Sequence, residues 1–203
     1  MEKLIELAKI VTKEKTKRVN IIGQEKNERK SLTKQLYEEI LKGKIKTDKE
    51  AGKILYGENF DQNTFIRTKY RLEEKLINSL FFINLNEPHY SDFQKNYYKC
   101  NKDRAAVKFL LGKAVRDTGI YLAEKTIKQA IKYEFTEIIL DLARLLKNHF
   151  RLFNPNKEKA AFYSNLVNTF KKILEYEIIA EDFKEEIAAA RTFSFLHEIE
   201  MLL

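Results

Sequence analysis

Only six glycines and two prolines, Pro88 and Pro155, punctuate this chain of 203 residues, and that shortage most restricts what it can fold into. A sheet of many short strands needs frequent reversals, and reversals draw on glycine and proline. Long stretches rich in Leu, Ile, Lys, Glu and Ala favour helix instead. The expectation is an all-α fold. At this length one substantial core, or two small helical units, can form without disulfide or metal staples.

Periodicity places the helices. Leu4, Ile5, Ala8 and Val11 put one apolar stripe on Met1 to Lys15, which predicts an amphipathic helix. Lys17 to Lys30 breaks the period and reads as a loop or a short extended piece. Ser31 is a candidate N-cap for a helix bearing Leu32, Leu36, Tyr37, Ile40 and Leu41, which Gly43 ends. Thr47 and Glu50 have capping-box spacing ahead of a short helix with Ala51, Ile54 and Leu55 that stops at Tyr56-Gly57. Asn63 is then expected to cap a long helix reaching about Phe82.

Asn84 to Ser91, with Pro88, is the clearest interruption, because proline lacks a donor and disfavours helix at the residue before it. The predicted organisation is therefore a basic helical unit over 1–85 and a second helical domain over 86–203. Within the second, helices are expected over 92–117, 120–133, 136–150 and 157–187, with 188–203 helical too. The joints are Thr118-Gly119, Glu134-Phe135 and Arg151 to Asn156. Links this short between long helices force antiparallel neighbours.

Charge and chemistry narrow the function. Residues 1–80 carry 19 Lys and Arg against 13 Asp and Glu, whereas residues 81–203 carry 19 against 17, so the excess lies N-terminally. Such an excess attracts phosphate or acidic protein surfaces. Cys100 is the single cysteine, which excludes an internal disulfide and points to a reducing, cytoplasmic home. The apolar runs are too short for a membrane span. His89, His149 and His197 show no metal-ligand spacing, no Glu-x-x-His occurs, and the isolated glycines make no phosphate-binding loop. No cofactor, metal site or catalytic set is expected.

Ala123, Ile127 and Ala130 follow small-x3-large-x2-small spacing, and with the alternation of helices and short turns beyond residue 91 this resembles a tetratricopeptide-like helical-repeat array. The resemblance implies antiparallel helix pairs stacked as a solenoid and a scaffold that holds a peptide or protein. Arg144, Lys147, Arg151, Phe153 and Tyr163 are the candidate anchors, since aromatic and cationic side chains carry interface energy. The apolar C-terminal residues Ile199, Met201, Leu202 and Leu203 suggest a neighbouring subunit or continuing chain there.

Thr47 to Ser79 resembles a helix-turn-helix pair, a short capped helix followed by a longer one bearing Arg67, Lys69, Arg71 and Lys75. That resemblance implies that Asn63, Thr64, Arg67 and Thr68 face base edges of DNA while the nearby cations meet phosphates. The sequence thus leaves two readings: a protein-binding adaptor, or a DNA-binding regulator.

Overall fold

The computed structural model describes residues 1–13 and 31–202, with side chains for 1–12 and 31–192. The expected loop Lys17 to Lys30, the side chains of His197, Ile199, Met201 and Leu202, and Leu203 lie outside these. All regular structure among the described residues is helical: α1 (Glu2–Lys13), α2 (Leu32–Leu41), α3 (Asp48–Tyr56), α4 (Gln62–Leu80), α5 (Asp92–Gly112), α6 (Arg116–Lys132), α7 (Thr136–Leu152) and α8 (Lys157–Leu202). The protein is all-α. It divides into two compact units, 1–88 and 89–203.

In the first unit α1, α2 and α4 pack against one another and α3 leans on α2. Leu4, Ala8 and Val11 of α1 meet Leu36 and Ile40 of α2 and Phe65, Leu72 and Leu76 of α4, all buried. Each Val, Leu, Ile or Phe side chain so removed from water contributes roughly 1.5–3 kcal/mol, so this stripe-to-stripe contact stabilises the unit. The capping box predicted at Thr47 and Glu50 is present. Gly43, at φ 70°, takes the left-handed conformation that closes α2 at little steric cost. The expected cap at Asn63 belongs instead to Asp61, whose carboxylate accepts from the Asn63 and Thr64 backbone N–H groups.

In the second unit α5 packs on α6, α6 on α7 and α7 on α8, and α5 also touches α7. Ser91 and Gln94 form a second capping box at the start of α5. The α5–α6 joint lies at Lys113 to Val115, not at Thr118-Gly119. Gly119 stands buried inside α6, where an added Cβ would fall 2.9 Å from Leu111 Cδ2, so it serves close helix approach rather than a break. The reversal is made by Ala114 at φ 60°, and Glu134 at φ 56° makes the next one. The core runs through Val107, Ala123, Ile127, Ala130, Ile139, Leu142, Leu146 and Phe150. The residues from 157 onward form one helix of 46 residues.

Candidate functional site

The outward face of α4 comes first in the chain. Its buried stripe is Phe65, Thr68, Leu72, Leu76 and Ser79, and 3.6 residues per turn then sends Asn63, Arg67 and Arg71 to solvent, where all three are exposed. The other residues expected to contact DNA are placed otherwise. Thr64 is exposed, but its hydroxyl donates to Asp61 at 2.6 Å. That bond, with the Thr64 and Asn63 backbone donors, holds the Asp61 carboxyl below its usual range. Thr68 is buried with its hydroxyl 2.6 Å from that of Tyr56, so it faces the core rather than a ligand. Lys69 is committed to Asp48 at 2.8 Å, and the Met1 ammonium meets the same carboxylate at 3.0 Å. Lys75 is half-buried. Beside Arg67 and Arg71 the face carries Ile66, Tyr70, Ile77 and Phe81, all exposed, so it is as apolar as it is cationic.

A larger face lies along α5 and α7 in the second unit. Phe93, Tyr97, Arg104 and Lys108 share one meridian of α5 at 3.6 residues per turn. At its start the exposed rings of Phe93 and Tyr97 meet Phe135 edge-on, with centroids 5.1 and 5.3 Å apart. Further along, Lys108 Nζ lies 2.5 Å and Arg104 Nε 3.9 Å from Asp141 of α7. The same exposed side of α7 continues through Arg144 and Arg151. Of the expected anchors, Arg144 and Arg151 are exposed and Lys147 is half-buried on its flank. The face is therefore aromatic at one end and cationic at the other. Phe93 and Tyr97 were legible as helix residues, but their joining to Phe135 depends on α5 lying beside α7.

Phe153 and Tyr163 sit where α6 begins and α7 ends, and they differ in role. Phe153 is exposed on one side, and on the other the Arg116 guanidinium lies 3.7 Å from its centroid. Tyr163 is buried, stacked on Phe150 at 5.8 Å with its hydroxyl donating to Glu124 at 3.3 Å, so it is a core residue and no anchor. Burial first, then the Glu124 charge, pushes its phenol to about 12. His149, stacked beside Phe153, has a buried Nδ1 with no hydrogen-bond partner. Burial and then the nearby Arg116 charge hold this imidazole below its ordinary pKa.

Cys100 is buried, and desolvation raises its thiol to about 11, which makes it packing rather than a nucleophile. Among the described residues no group of three or more His, Cys, Asp or Glu is placed to hold a metal ion. No described helix is long and apolar enough to cross a membrane. No family model, curated protein or solved structure matches the chain.

Proposed function

We propose that this chain is a non-enzymatic, cytoplasmic adaptor that holds a peptide or protein partner along the α5–α7 face, on tetratricopeptide-like stacked helices. The observation that carries this reading is the union, on one face, of the exposed Phe93 and Tyr97 with the exposed Lys108, Arg144 and Arg151 and the half-buried Arg104. Exposed rings beside cations form the kind of surface that desolvates well against a partner and keeps orientation through charge. The cations at 144 and 151 lie roughly 15–25 Å along the helix axis from Phe135, at 1.5 Å per residue. A fitting partner segment therefore carries an apolar anchor followed by acidic side chains.

The test is selection from a displayed peptide library, followed by titration of the recovered peptides. Selected peptides should share that pattern, and Arg144→Glu with Arg151→Glu should weaken them at least tenfold with helicity unchanged. Selection of unrelated sequences, or an unchanged affinity in that variant, would defeat the reading.

The second reading, DNA binding through α4, draws on the shared exposure of Asn63, Arg67 and Arg71. It predicts salt-sensitive binding of duplex DNA that Arg67→Glu with Arg71→Glu abolishes. Absence of binding at low salt removes this reading.

A further inference from the structure

The 46 residues of α8 span roughly 70 Å at 1.5 Å per residue, far more than the 17-residue α7 on which it packs. The pairing is antiparallel: Tyr163 stacks on Phe150 near the end of α7, and Glu177 accepts a 2.7 Å hydrogen bond from Thr136 at its start. Residues 178–202 run on past α7, and every described residue from Glu175 to Thr192 is exposed.

Two meridians of this helix behave oppositely. The one that packs on α7 carries Ala160, Tyr163, Val167 and Phe170. Beyond Glu177 it continues as Glu181 and Glu185, so it becomes a solvated acidic face where α7 runs out. The opposite meridian turns apolar over the same stretch. Tyr176, Ile179, Phe183, Ile187 and Ala190 all fall within about 40° of Phe183 around the axis. Between Ile173 and Ala190 no charged residue lies within that arc, and Lys172 closes it at one end.

The order of this row reads the same from both ends. Its intervals are three, four, four and three residues, symmetric about Phe183. An isologous contact requires that if residue i touches j in the partner, j touches i. Two antiparallel copies of α8 related by a twofold axis beside Phe183 meet that condition. Phe183 packs on Phe183 of the other copy, Ile179 on Ile187, and the Tyr176 ring on the Ala190 methyl. A parallel pair would stack Tyr176 on Tyr176 and leave a gap at the two Ala190 methyls.

We propose that a second copy of this chain packs antiparallel on the outer meridian of α8, centred on Phe183. Four large side chains and an alanine offer on the order of 500 Å² per copy, below the roughly 800 Å² of a standard stable interface. The expected dimer is therefore weak and concentration-dependent, with dissociation in the micromolar range.

Sedimentation equilibrium of the full chain, run from roughly 1 to 300 µM, should show a monomer–dimer equilibrium at a Kd of that order. Phe183→Glu, and separately Ile187→Glu, should weaken it at least a hundredfold while leaving far-ultraviolet circular dichroism unchanged, because both positions are exposed. Orientation is read by mixing Tyr176→Cys chains with Ala190→Cys chains under mild oxidation, with Cys100 buried and its thiol un-ionised. The mixture should give the 176–190 disulfide far faster than either chain gives its own homodimer. A chain that stays monomeric throughout overturns the proposal, and so does a dimer indifferent to Phe183→Glu. Homodimeric 176–176 and 190–190 bonds would overturn the antiparallel geometry. A foreign protein captured on this face while the chain remains monomeric would reassign it.

Discussion

The hydroxyls of Tyr56 and Thr68 lie 2.6 Å apart and join the end of α3 to the buried stripe of α4. Thr68 is nearly inaccessible, so its hydroxyl has this one use, and the bond closes the polar group against the core. Thr68→Val keeps the shape and removes the partner of Tyr56. It should cost about 1 kcal/mol in chemical denaturation, the ordinary net value of such a bond, and leave any nucleic-acid binding by Arg67 and Arg71 unaltered. A loss of DNA binding greater than the loss of stability would return Thr68 to the ligand face.

Gly52 is buried, with the Phe60 ring close over its Cα. A Cβ at position 52 would fall 2.1 Å from the Phe60 ring. That ring also meets Phe65 edge-on at 5.8 Å. Gly52→Ala must push Phe60 aside and break that contact, and overpacking of this kind typically costs 1–3 kcal/mol. Chemical denaturation of the variant should show a loss of that size, and pairing it with Phe60→Ala should recover part of the difference.

The three serine and threonine caps should separate cleanly. Thr47 and Ser91 each take part in a complete capping box, whereas the Ser31 side chain makes no cap bond and its hydroxyl is buried without a partner. Thr47→Ala and Ser91→Ala should each destabilise by about 1 kcal/mol. Ser31→Ala should be neutral or slightly stabilising, because it removes an unsatisfied polar atom. Equal losses at all three positions in thermal melts would show that Ser31 caps α2 after all.

These cases mark what was legible in the sequence. Helical periodicity located the helices of the described residues and spacing placed the Thr47–Glu50 capping box, because those signals are local, whereas the α5–α6 joint, the unbroken length of α8 and the Ser91–Gln94 box escaped them. It also held information left unused: Thr68 stands three residues after Phe65 and four before Leu72, which is a core register whatever its polarity. Tyr163 likewise stands three after Ala160 and four before Val167. Gly119 misled because a glycine that breaks a helix and one that lets two helices approach look alike until the neighbour, Leu111, is known. The α5 reversal turns on Ala114 although Gly112 stands two residues before it, and an alanine at positive φ is held there by its surroundings. The α5–α7 face required a contact between helices some forty residues apart, which no window reports.

His149 should make the second unit sensitive to mild acid. Its pKa in the folded protein lies below the ordinary value, through burial and then the Arg116 charge, so the unfolded chain binds the proton more readily. The imidazole therefore contributes its full share of stability above the unfolded pKa, about 6.5, and that share is lost as pH falls toward the lower folded value. Denaturation midpoints between about pH 7.5 and 5 should decline, and His149→Gln should flatten that decline. Carboxylates held low, such as Asp48 between Lys69 and the Met1 ammonium, lose their contribution only at pH below the ordinary carboxylate range, on the acid side of the histidine window. If the slope between pH 7.5 and 5 survives in His149→Gln, a different group carries it, and the unpartnered Nδ1 of His149 has no part in acid stability.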